Sequence, residues 1–394
     1  MAVRQASKHE LTMALRERYW KASRIEKGQM LDTFVEATGY HRKYALTLLR
    51  HGPPPARPRL VGPGRPLTYS PLVINALAVA AEATGWICGK RLAPALPDLV
   101  PALEREGALM LIPEVREQVL HLSAATIDRR LAALRKTAKP RGIATTKPGS
   151  LLRRQVPVRT YTPWDEQRPG FVEVDLVAHC GSSAAGEFAF TLDMTDIATG
   201  WTECGAVANK GQRAVLAMLE EVGARFPFPL LGIDSDNGSE FLNGHLIRYC
   251  QQEQLTYTRG RTYHKNDQAH VEQKNWSVVR QFIGYDRFEG TEACSQLNRI
   301  YQLLHLYLNG YLPVMKLVAK ERVGAKVHKR YDTPRTPYRR AQEAGVVTDT
   351  NQEAFEALLA AQGPLGLRRQ IEAALDQVWR LREGPDQAVA PATA

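Results

Sequence analysis

A change of pattern at Phe171 constrains the fold more than any other feature of this 394-residue chain. From there FVEVDLVA alternates and is rich in β-branched residues, and EFAFTLDM and GWTECGAV follow after short turns. Three consecutive short strands therefore form a meander. Beyond them Gln212 to Phe226 has helical periodicity, Leu230 to Ser235 is a short apolar strand and Phe241 to Gln252 is helical again. Thr256 to Thr258 reads as a short strand and Gln268 to Phe282 as a longer helix. Three strands followed by alternating helices and strands predict a mixed α/β sheet.

Three carboxylates fall at informative places in that order. Asp175 lies in the first strand within DLVAHCG, Asp236 just past the fourth strand within DSDNGSEF, and Glu272 in the first turns of the last helix within YHKNDQAHVEQKNW. Singly, each has an ordinary reading: an edge-strand charge, an Asx-turn residue before Asn237-Gly238, and a solvated helix position. Together they would repel one another and raise their own pKa values, so their convergence costs stability unless a cation sits between them.

The Asp-Asn-Gly run followed by Glu-Phe, with 35 residues between Asp236 and a Glu inside a helix, resembles a known signature. The chain looks like a DDE transposase of the bacterial insertion-sequence type, in the retroviral integrase superfamily, firmly over residues 160 to 290. The resemblance implies a ribonuclease H-like core with Asp175, Asp236 and Glu272 as catalytic and metal-binding residues. Asp234 competes for the second place, since alternation puts it on the same strand face as Asp236; the resemblance favours Asp236, directly before Asn-Gly.

Phosphodiester displacement builds charge on the attacking and leaving oxygens. Two Mg2+ ions, or Mn2+ in their place, prefer oxygen ligands and would clamp that transition state at a separation of about 3.5–4 Å. Around the acids, His179, Asn237, Lys265, Asn266, Lys274 and Asn275 are candidate DNA contacts, His179 alternatively closing a turn. Trp276, four residues past Glu272, reads as core, and Asp193 and Asp196 as turn residues.

The net charge of +11 is unevenly spread, because residues 1 to 170 carry 28 Lys and Arg against 14 Asp and Glu, and residues 171 to 394 carry 24 against 27. The first 170 residues are thus the expected grip on phosphates. Residues 1–52 read as a helix-turn-helix domain: helix-like spacing on either side of Thr38-Gly39, with Gly39 free to take positive φ. Arg42, Lys43 and Tyr44 then open a recognition helix. Residues 53–69 form a Pro/Arg-rich linker that reads as a plain spacer, although Gly64-Arg65-Pro66 resembles an AT-hook core and makes Arg65 a candidate minor-groove contact. Residues 70–135 read as a second helical DNA-binding domain, its last helix capped by Ser123 and carrying Arg129 and Arg130. A basic linker spans 136–164, and the catalytic core 165–295.

A helix and a basic region occupy 296–345, with nine basic and two acidic residues between Met315 and Arg340, suited to a small β module or an extended arm. Residues 346–394 read as amphipathic helices and a tail, suited to capping the chain's own core or to self-association. The five cysteines are scattered and form no CxxC pair, which argues against a disulfide framework and a zinc ribbon. The charged opening MAVRQASKHE and the lack of a long apolar run point to a cytoplasmic chain without a membrane partner.

The function expected is cleavage at the terminal inverted repeats of a mobile element and transfer of the 3′ hydroxyl to target DNA. Double-stranded DNA is the partner, bridged by a homodimer or larger homo-oligomer. The competing readings are a domesticated DNA-binding regulator and a ribonuclease H or resolvase-like nuclease.

Overall fold

The computed structural model describes residues 5–53, 69–132, 134–137, 168–260 and 268–381. Most of both expected linkers therefore lies outside the described residues, as do Arg65, Lys265 and Asn266. Two compact units divide the chain, Met1–Thr68 and Tyr69–Ala394.

The first unit holds α1 (Gln5–Lys21), α2 (Arg24–Thr38) and α3 (Arg42–His51). Ser23 and Glu26 form a capping box, with Ser23 N–H donating to Glu26 Oε2 at 2.7 Å, which satisfies amides that the first helical turn leaves unpaired. Gly39 ends α2 at φ 68°, its N–H bonded to Val35 O at 2.8 Å, the left-handed turn that glycine takes without strain. Phe34, Leu48 and Leu49 close a small core. Sequence periodicity marked α2 and α3; α1, with Leu11, Leu15 and Tyr19 stacked at four-residue spacing, is an additional helix packed on them.

The second unit opens with α4 (Pro71–Ala83), α5 (Gly89–Arg105), α6 (Pro113–Leu120) and α7 (Ala124–Leu131), which share a core of Val73, Leu77, Leu92, Leu96, Val119 and Ile127. Then come β1 (Phe171–Ala178), β2 (Phe190–Asp196), β3 (Thr202–Val207), α8 (Gln212–Gly223), β4 (Gly232–Ser235), α9 (Gly244–Gln252), β5 (Thr256–Arg259) and α10 (Ala269–Lys274). A π-turn over Asn275–Arg280 continues α10, and α11 (Gly290–Leu306) follows. The C-terminal part comprises β6 (Leu317–Val323), β7 (Lys326–Tyr331), α12 (Pro337–Glu343), α13 (Asp349–Ala361) and α14 (Pro364–Arg380).

The sheet order is β3-β2-β1-β4-β5, antiparallel from β1 to β3 and parallel from β1 through β4 to β5. That is a mixed α/β sheet of the ribonuclease H-like kind, with the expected meander and crossovers. Each predicted core element is present within a few residues of its expected bounds.

The block of four helices belongs to the same compact unit as the sheet. Leu365 of α14 completes its core, while Leu367, Ile371, Leu375 and Val378 of the same helix enter the core of the sheet. Arg91 Nε on α5 donates to Pro313 O at 2.7 Å. The basic C-terminal region is a two-stranded antiparallel hairpin, β6–β7, almost entirely exposed. No helix among the described residues is long and apolar enough to cross a membrane.

Candidate active site

The two faces of β1 differ in kind. Val172, Val174 and Leu176 enter the apolar core, so alternation turns Glu173 and Asp175 to the opposite face. Cross-strand register sets Asp193 and Thr195 of β2 beside Asp175 and Glu173, and Asp234 of β4 beside Glu173. α10 packs against β1 and β2, and its Val271 is fully buried. The start of this helix is fixed by strand carboxylates: Glu173 Oε2 accepts from the N–H groups of His270 and Val271, each at 2.9 Å.

Asp175 Oδ1 accepts from Leu176 N–H at 2.8 Å and Oδ2 from Asn275 Nδ2 at 2.6 Å. Burial, first, and the Asp236 carboxylate, second, push its pKa up to about 7; the two hydrogen bonds oppose this and Glu272 adds to it. Asp236 lies just beyond β4, its Oδ1 accepting from Gly238 N–H at 2.7 Å, and burial, then Glu240, raise its pKa against that bond. Glu272 is exposed in the first turn of α10. Asp236 at the strand end and Glu272 on the helix thus both act electrostatically on Asp175. Their oxygen donors suit a hard divalent cation, and a cation would relieve the repulsion that raises Asp175. They do not form a closed cage: among the described residues, no three His, Cys, Asp or Glu side chains could hold a metal ion.

The structure assigns Asp234 a different job from Asp236. It is fully buried in β4, where Oδ1 accepts from Thr258 Oγ1 at 2.5 Å and Oδ2 from Gln268 Nε2 at 3.4 Å. Asp193 is a correction to the turn reading. It sits inside β2, fully buried, beside Asp175, and its carboxyl and the Lys274 amine are both driven toward neutrality by burial, each opposed by the other's charge. Asp196 does close a turn, accepting from the Thr199 N–H and hydroxyl and from Gly170 N–H, each at 2.7 Å.

Several expected DNA contacts point inward instead. His179 is fully buried, its Nε2 2.7 Å from Thr191 Oγ1 and its ring edge-on to Phe288, and burial pushes its pKa down to about 3. Lys274 Nζ donates to Gly200 O at 3.1 Å. Asn237 uses both ends of its amide, giving to Gly260 O at 2.9 Å and accepting from Arg259 at 2.8 Å, and so ties the loop after β4 to β5. Asn275 holds Asp175 rather than facing solvent. These side chains satisfy buried groups that would otherwise lack partners.

Trp276 reverses the core expectation, at 58% exposure. Four residues past the exposed Glu272, it shares that residue's solvent-facing side of the helix, while Val271, Val278 and Val279 take the core positions. Arg42, Lys43 and Tyr44 are exposed at the start of α3, Arg42 paired with Asp32, and Arg129 and Arg130 are exposed on α7. Sequence reading missed Glu173. The available signal was a second acid two residues before Asp175 on a strand otherwise made of Phe, Val, Leu and Ala.

No protein-family model matches the chain. Among curated proteins, the uncharacterized protein y4rM of Sinorhizobium fredii (strain NBRC 101917 / NGR234) is 45% identical over 341 residues, 86% of this chain and 96% of that protein. The chain belongs to the y4rM family. Family membership thus spans most of both chains. Among solved structures, the catalytic core domain of BIV integrase is similar at 17% identity, covering 45% of this chain and 95% of that one with a TM-score of 0.29. The fold assignment for this y4rM relative rests on its strand order and register.

Proposed function

We propose that this chain is a DDE-type DNA transposase or integrase that cuts double-stranded DNA at element ends and joins the 3′ hydroxyl to target DNA. The observation that carries the reading is Asp175, half-buried on the central strand with its pKa raised to about 7 by desolvation and by the neighbouring Asp236 and Glu272 charges. Mutual repulsion of this kind, on one face of a ribonuclease H-like sheet, marks a site arranged for a positive partner.

In this reading Asp175, Asp236 and Glu272, which as placed do not form a metal cage, draw together to hold two Mg2+ ions, or Mn2+, which when bound supply charge stabilisation for the attacking and leaving oxygens. The attacking oxygen comes from water in cleavage and from the DNA 3′ hydroxyl in joining. It bonds to phosphorus as the bond to the leaving 3′ oxygen breaks, and no covalent protein intermediate is needed. Asn275, bonded to Asp175 Oδ2, fixes the orientation of that carboxylate. The exposed Arg42, Lys43 and Tyr44 of α3, the exposed Arg129 and Arg130 of α7, and the β6–β7 hairpin are the DNA-contact surfaces in this reading. A homodimer or larger assembly would hold two ends together, in the cytoplasm.

The test uses the full chain and a labelled duplex containing the DNA that flanks its gene. With Mg2+ the wild type nicks and joins; Asp175→Asn, Asp236→Asn and Glu272→Gln each lose joining by about 10³-fold or more, while duplex binding stays within about two-fold. A single variant with wild-type joining sinks the assignment. So does a wild-type protein that binds these ends but never cuts them with Mg2+ or Mn2+.

A further inference from the structure

The start of α10 is braced by two buried strand carboxylates. Glu173 is 1% exposed on β1 and receives two backbone N–H groups of the first turn of the helix, those of His270 and Val271. Next to it in the sheet, Asp234 of β4 receives the side-chain amide of Gln268, the residue capping that helix. The next residue along α10 is Glu272. Glu173 also lies two residues before Asp175 on the same strand face. One strand therefore carries an acid of the proposed site and the anchor for the helix that carries another.

We propose that Glu173 is a positioning residue: its two hydrogen bonds set the height and rotation of the first turn of α10 and so the approach of Glu272 to Asp175. A carboxylate at a helix start meets unpaired amides and the positive end of the helix dipole, and charge-assisted bonds of this kind are short and strong. The buried Val271, the Gln268–Asp234 bond and the Glu272 N–H bond to Gln268 O also hold the first turn. Displacement of a reacting group by about 1 Å is worth about 100-fold in rate. The inference rests on the transposase reading for its catalytic consequence, and on geometry alone for its structural one.

The experiment compares Glu173→Ala, Glu173→Asp and Glu173→Gln in the full chain by hydrogen exchange and by joining kinetics. Gln keeps an acceptor at the same reach; Asp keeps the charge but falls one methylene short. We expect Ala and Asp to speed exchange of the amides at 270–272 by about ten-fold or more, with β2 and β3 unchanged, and Gln to stay near wild type. In joining, Ala and Asp lower kcat about 100-fold at unchanged KM for DNA, and Gln restores most of it. Unchanged exchange at 270–272 in Ala or Asp overturns the proposal, as does equal loosening of the whole sheet. Failure of Gln to rescue overturns it too. If Ala does not fold, the Asp and Gln variants decide. If wild-type protein joins no DNA, the transposase reading fails while the exchange comparison still decides the role of Glu173.

Discussion

Replacing Asp175 by Asn should stabilise the metal-free protein while destroying its proposed activity. The carboxyl has its pKa raised from 3.8 to about 7, chiefly by burial and then by Asp236. Below pH 3.8 both folded and unfolded chains hold the proton and nothing is gained or lost. Between pH 3.8 and 7 the folded chain keeps a proton that the unfolded chain has released, so stability falls as pH rises, by about 1.36 kcal/mol per pH unit. Above pH 7 the penalty is constant at ~4 kcal/mol.

An amide at this position has no charge to bury. It can still accept from Leu176 N–H, and once the Asn275 amide turns over its NH2 can donate to Asn275 Oδ1, which is buried without a hydrogen-bond partner among the described residues. At pH 8 without metal, Asp175→Asn should therefore gain ~2–4 kcal/mol, and at pH 5 only ~1–2 kcal/mol. With unfolding entropy of ~2.1 cal/mol/K per residue over Tyr69–Ala394, the gain at pH 8 reads as a rise in Tm of ~3–6 °C. Calorimetry at both pH values, with and without Mg2+, measures this. Mg2+ should raise the Tm of the wild type and leave the variant nearly unmoved. A variant melting at or below the wild type at pH 8, or a difference that grows toward acid, refutes the electrostatic account of the site.

Phe34→Ala, at a fully buried position of the N-terminal unit, should cost that unit ~3–5 kcal/mol and lower its own melting transition, leaving that of Tyr69–Ala394 in place. A Cβ added at Gly89 would lie 2.2 Å from Ala124 O, so Gly89→Ala should lower the urea midpoint by an equivalent of ~1–3 kcal/mol; no change would mean that α5 and α7 shift apart freely. Lys320 and Lys329 stand directly opposite on the exposed hairpin, and Lys329→Gln should relieve ~0.2–1 kcal/mol of repulsion while reducing the log–log salt slope of DNA binding by about 1. Lys43→Ala should weaken duplex binding with a similar loss of slope at a Tm within experimental error of wild type, and an unchanged slope would remove α3 from the DNA surface.

Local chemistry was legible in the sequence and long-range pairing was not. Alternation in FVEVDLVA and the Gly39 turn announced β1 and the α2–α3 junction because each is specified by neighbouring residues. The proposed acids Asp175, Asp236 and Glu272 stand out only through their local motifs, and the structure distinguishes Asp234 from Asp236, since the former is engaged by Thr258 and Gln268. The partners of Glu173, Lys274 and His179 lie far away in sequence, in α10, in the turn after β2 and in β2 itself. Spacing alone identifies such residues as polar without saying which way they face. Trp276 was misread because residue type was weighed above spacing: an aromatic side chain suggests core, but four residues past the exposed Glu272 it lies on the solvent face.

α14 has a consequence for how the chain comes to be folded. One end of it seals the four-helix block and the rest of it seals the sheet, so neither core is complete until the ribosome has made residues far downstream of both. The second unit must wait, with the apolar faces of α4, α5 and α11 uncovered, for a helix made more than 280 residues after α4 begins. Ordering contacts that distant in sequence is slow and exposes surface prone to aggregation. A ribosome that stalls before Pro364 therefore releases a chain with two open cores.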